Sequence, residues 1–106
     1  MKRSALTIDP DLLRSAAGEA VAAMKLLANA DRMLLLCQLS QGEMCVSDLE
    51  ERLQIHQPTL SQQLGVLRNE GAVDTRREGK NIYYRVVDPA LLEILPVLYR
   101  LYCPKE

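Results

Sequence analysis

A chain of 106 residues, 48% apolar and 25% charged, is long enough for one compact domain over residues 1–106 and too short for two. No apolar run approaches the roughly 20 residues of a membrane span, and Met1 to Ser4 lead into an amphipathic segment, so a spanning or exported chain is disfavoured and a cytoplasmic one expected. The net charge of −1 counts against a uniformly basic nucleic-acid binder, yet residues 52–85 hold six basic against three acidic side chains.

Asp9-Pro10 places a side-chain acceptor before a residue suited to a first helical turn. Leu12, Leu13, Ala16, Ala20, Val21, Met24 and Leu27 then recur at helical spacing, predicting a first helix that ends near Ala28-Asn29. A second helix is expected from Ala30 to about Ser40, where Met33, Leu34, Cys37 and the flanking leucines make a broad, largely buried apolar face and Gly42 supplies a left-handed stop. Ser47-Asp48-Leu49-Glu50 reads as a capping box, with the Ser47 hydroxyl accepting from the Glu50 amide, so a short third helix should run from Asp48 to near Leu53. Pro58 fits the first position of a fourth helix, with Leu60, Leu64 and Leu67 as its inward stripe and Gly71 as its stop. Two short helices joined by a brief turn make a helix-turn-helix.

From Ala72 the period changes to two. Val73, Thr75 and Arg77 alternate with Asp74 and Arg76, then Ile82, Tyr84 and Val86 with Tyr83, Arg85 and Val87, around a turn at Glu78-Gly79-Lys80-Asn81. A hairpin directly after a helix-turn-helix is a wing. Asp88-Pro89 caps a last helix carrying Leu91, Leu92, Ile94, Leu95, Leu98, Leu101 and Tyr102, which Pro96 should kink or divide. The expected fold is mainly α with a small β-hairpin, a winged helix-turn-helix of five helices and two antiparallel strands.

On the fourth helix the side chains left facing outward are Thr59, Ser61, Gln62, Gln63 and Arg68, with Gln57 just ahead of them. Glutamine can pair bidentately with adenine, and hydroxyls suit phosphates or base edges, whereas an ordinary solvated face would carry more Lys and Glu. In the wing, Lys80 at the tip and Arg77 beside it are the expected phosphate or minor-groove contacts. Arg85 and the tyrosines are as well suited to packing. The polar outer face also argues against a protein-binding module, whose interface would centre on apolar anchors.

The order of elements, with PTLSQQLGVLRNEG, RREGKNIYYRV and LLANADRMLLLCQL, resembles the ArsR/SmtB repressors from Leu26 onward. The resemblance implies a homodimer built on the first and last helices, binding an inverted repeat in double-stranded operator DNA with its reading helices ~34–36 Å apart. Gln63 stands where that family frequently has a His.

Three cysteines at wide spacing suggest no disulfide framework, and each taken alone reads as a small buried hydrophobe. LLLCQL and LYRLYC are similar to the BigR/SqrR/HlyU-like branch, which implies that Cys37 and Cys103 form a persulfide- or oxidant-sensing pair whose bridging lowers DNA affinity. Cys45 has no role in that pattern. The alternative is a metal- or metalloid-responsive repressor using the cysteines as thiolate ligands. Met44-Cys45-Val46-Ser47 holds one sulfur where the family's thiolate sites use a pair, and the last helix has no His. The one histidine, His56, falls in the turn and reads as a polar surface residue. No Cys-x-x-Cys, glycine-rich phosphate loop or nucleophile beside a base is present, so neither an enzyme nor a cofactor is expected.

Overall fold

The structure, a computed structural model, describes residues 8–104. Its elements are α1 (Pro10–Leu27), α2 (Ala30–Ser40), β1 (Met44–Cys45), α3 (Val46–Leu53), α4 (Thr59–Asn69), β2 (Val73–Glu78), β3 (Asn81–Val86) and α5 (Pro89–Tyr102). All five expected helices and both wing strands are present, in the expected order.

The core is a cluster of leucines drawn from all five helices, Leu27 being the contribution of α1. Leu35, Leu36 and Leu39 on α2 meet Leu49 on α3, the stripe Leu60, Leu64 and Leu67 on α4, and Leu91 and Leu95 on α5. Each fully buried leucine stabilises the fold by roughly 1.5–3 kcal/mol relative to exposure, so this stripe, rather than helix propensity, holds the 11-residue α4 in place. The buried face of α2 is narrower than expected: Met33 and Cys37 are half-buried and Leu34 is exposed.

Several ends are set as the sequence suggests. Asp9 Oδ1 accepts from the Asp11 amide at 2.9 Å, and Asp88 Oδ1 from the Ala90 amide at 2.9 Å. At the end of α4, Gly71 lies at φ 78, its amide donates to the Arg68 carbonyl, and the Ala72 amide reaches back to the Leu67 carbonyl at 2.9 Å. That pair of bonds closes the helix and turns the chain straight into β2.

Other ends differ. The capping box does not form: α3 begins at Val46, two residues before the expected start, with Cys45 as its unassisted N-cap, and the Ser47 hydroxyl contacts Cys45 Sγ at 3.3 Å. The cause is β1, a third strand that pairs with β3 (Met44 with Tyr84, Cys45 with Tyr83) and delivers the chain into α3 without a loop. The sheet order is therefore β1-β3-β2. Pro58 is the N-cap of α4 rather than its first residue, and α2 closes at Gln41, with Gly42 at φ 157 and not in the left-handed helical region. Pro96 sits inside an undivided α5.

β2 and β3 pair from Val73 with Val86 to Glu78 with Asn81, leaving Gly79-Lys80 as a two-residue turn. Gly79, at φ 63, takes the positive φ that a primed hairpin turn demands.

Candidate nucleic-acid interface and thiol cavity

The outward face of α4 is built by default. With Leu60, Leu64 and Leu67 inward, Ser61, Gln62 and Arg68 are exposed, while Thr59 and Gln63 are half-buried. Two of the glutamines are already engaged. Gln57 Oε1 accepts from the Ser61 amide at 3.0 Å, satisfying a free donor in the first turn of α4. Gln63 Oε1 accepts from Arg32 Nη1 at 3.1 Å. Gln62, with no such partner among the described residues, is the freest amide on the helix.

The wing divides its cations. Arg76 pairs with Glu43 Oε1 at 2.6 Å and Glu78 Oε1 at 2.7 Å, and its guanidinium lies 4.8 Å from the centre of the Tyr83 ring. The hydrogen bonds to Glu43 and Glu78 hold the guanidinium charged beyond the ordinary arginine range, and the Arg76 hydrogen bond holds the Glu43 carboxyl below the usual carboxylate range. Arg85 faces Asp74 at 3.8 Å, and Tyr84 is half-buried against the core. Arg77 and Lys80 are exposed and make no ion pair among the described residues, so the tip of the wing presents unspent positive charge. His56 is exposed in the turn ahead of α4, with Nδ1 3.4 Å from Glu50 Oε2.

Sulfur is gathered elsewhere. Cys37, on α2, and Cys103, the C-cap of α5, line one open cavity of about 480 Å³ with Met33, Leu34, Leu53, Arg52 and Tyr99. Cys37 is half-buried and Cys103 exposed. Burial raises the Cys37 thiol above its ordinary range, and the nearby Cys103 thiolate adds to the rise. α5 lies against α2, which explains how residues so far apart in the chain line one cavity. Cys45 is buried, bonded to Ser47, and is not among the residues lining that cavity. Among the described residues no group of three His, Cys, Asp or Glu side chains could hold a metal ion.

Sequence reasoning missed Arg32, whose guanidinium joins three elements, and Glu43, which anchors the wing to the chain ahead of β1. A charged residue in an amphipathic helix carries no one-dimensional sign of its partners. For Arg32 only the cap before it is visible, Asn29 Oδ1 accepting from the Arg32 amide at 3.0 Å.

Residues 29–75 match the model of the family described as bacterial regulatory protein, arsR family. The chain is 49% identical over 90 residues to the biofilm growth-associated repressor of Agrobacterium fabrum, covering 85% of this chain and 77% of that one. Among solved structures it is similar to the transcriptional repressor BigR from Xylella fastidiosa, at 39% identity and a TM-score of 0.84, over 92% of this chain and 99% of that one. Reduced HlyU from Vibrio cholerae aligns at 35% identity and a TM-score of 0.83, over 87% and 97% of the two chains.

Proposed function

The chain belongs to the arsR family of bacterial regulatory proteins and is a DNA-binding transcriptional repressor, not an enzyme; from that premise we propose a homodimer that releases its operator when Cys37 and Cys103 are bridged by reactive sulfur. The observation that carries the reading is the shared cavity, which brings two thiols from distant parts of the chain to one solvent-accessible place.

The dimer is supported by unpartnered apolar surface. α1 buries only Leu27, while Leu12 (67% exposed), Leu13, Val21 and Met24 face outward, as do Leu101 (63% exposed) and Tyr102 on α5. An isolated 18-residue helix with that stripe has little reason to hold its conformation in water, whereas a second copy laid along α1 and α5 would cover it. Two copies then offer two α4 helices to successive major grooves of an inverted repeat. Thr59, Ser61, Gln62, Gln63 and Arg68 approach base edges and phosphates, Gln57 fixes the entry to the helix, and Arg77 and Lys80 follow the backbone. Such a protein acts in the cytoplasm, where DNA is and where thiols stay reduced until an inducer arrives.

The sulfur chemistry balances without a metal or a cofactor. The exposed Cys103 thiolate attacks the outer sulfur of a small-molecule persulfide, forming Cys103–S–SH and releasing the carrier thiolate. Cys37 then attacks Cys103 Sγ and expels hydrosulfide, leaving a disulfide. If both cysteines carry an extra sulfur, attack of one on the inner sulfur of the other leaves a three-sulfur chain and the same leaving group. Either bridge ties α5, a dimer helix, to α2, which packs against α4. Metal sensing has less support, since the third sulfur is buried apart from the pair.

Mass spectrometry of the reduced protein after persulfide treatment tests the reading. The bridged product is lighter by about 2 mass units, or heavier by about 30 with the longer chain, and its peptides join Cys37 to Cys103. Stable adducts on unlinked cysteines would overturn it.

A further inference from the structure

Arg32 spends its guanidinium on three acceptors. Nε donates to the Leu26 carbonyl at 2.7 Å, Nη2 to the Lys25 carbonyl at 3.1 Å, and Nη1 to Gln63 Oε1 at 3.1 Å. The two carbonyls belong to the last turn of α1, where internal donors run short, although the Lys25 carbonyl also accepts from the Ala28 amide at 3.2 Å. The planar fork is thus anchored on backbone, and its remaining edge grips the amide of a residue on the outer half of α4.

We propose that Arg32 is a positioning residue that sets the base preference of Gln63, holding Oε1 against the protein so that Gln63 reads guanine rather than adenine. The inference rests on the reading of α4 as the helix that enters the major groove. Arginine carries donors only, so the amide atom it meets is the oxygen, and the orientation of the Gln63 amide follows. Glutamine recognises adenine with both atoms, its oxygen accepting from N6 and its amine donating to N7. An oxygen held by a charge-assisted bond to an anchored guanidinium does not swing out to N6 without breaking that bond. The Nε2 amine remains, and it brings only donors. Guanine offers two acceptors to them, N7 and O6, whereas adenine sets an amine beside its N7. Gln63 is half-buried where Gln62 is exposed, in keeping with an amide drawn toward the protein.

The test is affinity selection from a pool of randomised DNA duplexes by the intact protein, comparing wild type with Gln63→Met, Arg32→Met and Arg32→Lys. Wild type should enrich guanine at one pair in each half-site, and Gln63→Met should lose preference at that pair alone. Either Arg32 variant that keeps the wild-type melting curve should shift that pair toward adenine by about tenfold. Lysine serves as the second variant because it keeps the charge and stem but cannot hold three acceptors in a fork. A purely structural role for Arg32 would weaken all sequences alike and leave the selected base unchanged. Adenine selected by wild type at the Gln63-dependent pair would overturn the proposal even if neither Arg32 variant folds, as would an unchanged base in a folded Arg32 variant. Selection of a defined sequence with no pair sensitive to Gln63 would overturn this inference and leave the DNA-binding reading standing. Selection of no sequence by wild type would overturn both.

Discussion

Two truncations on α4, Leu64→Ala and Gln62→Ala, should have opposite consequences although the residues are only two positions apart. Leu64 is 1% exposed within the leucine core, on a helix that packs against α2, so its truncation leaves a cavity costing about 2–5 kcal/mol. Set against a total stability of roughly 5–15 kcal/mol for such a domain, that loss lowers the urea midpoint by about 1–2 M at an ordinary dependence on denaturant. Gln62 is exposed and has no side-chain partner among the described residues, so its truncation changes stability by no more than about 0.5 kcal/mol. Losing its base contact should instead weaken operator binding by about 1–3 kcal/mol per half-site, roughly 5- to 150-fold. Urea unfolding at one fixed protein concentration and DNA titration at one fixed salt concentration measure the two effects separately. The reasoning fails if Gln62→Ala destabilises the fold as much as Leu64→Ala does, or if it leaves DNA affinity untouched.

Arg77→Ala and Lys80→Ala should each weaken binding to all sequences about equally and flatten the salt dependence by about one unit of slope per half-site, measured by titration across a salt series; a change in sequence preference would argue against phosphate contact. In a Cys103→Ser protein, alkylation of Cys37 should rise with pH through a midpoint above that of an ordinary thiol, because burial is the first cause of its raised pKa and survives the substitution. The neutral thiol is the form the fold favours, so stability from this group is complete at low pH and lost as pH rises through the raised value; an alkylation midpoint below the ordinary range would contradict this. Leu12→Asp should convert the dimer to a monomer in sedimentation and sharply reduce operator affinity, since a carboxylate would then be buried in the apolar seam.

What was legible in the sequence was whatever a single helix or hairpin decides for itself. The stripe Leu60, Leu64 and Leu67 gives the orientation of α4, Gly71 gives its end, and the change to a period of two at Val73 gives the wing. What was illegible depended on a neighbour. Ser47-Asp48-Leu49-Glu50 has the composition of a cap, yet strand pairing of Met44 and Cys45 with β3 starts the helix earlier and takes Ser47 inside it. Pro96 removes one amide from α5, but Leu91 and Leu95 before it are buried in the core and Leu98 after it packs against the same core, and the helix continues. A Cys37 and Cys103 pair is implied by resemblance alone; that the two line one cavity follows from the packing of α5 on α2, which no local pattern encodes. The bond from Arg32 to Gln63 has no local sign either, because Arg32 lies on another helix.

The most direct measurement of the central claim is operator affinity before and after persulfide treatment, made at one salt concentration for wild type, Cys37→Ser and Cys103→Ser. Bridging should weaken wild-type binding by about 1–3 kcal/mol, roughly 5- to 150-fold, reversibly on reduction, and both serine variants should bind like the reduced wild type and ignore persulfide. Unchanged wild-type affinity after the bridge has formed, or an equal loss of affinity in either serine variant, would contradict the account.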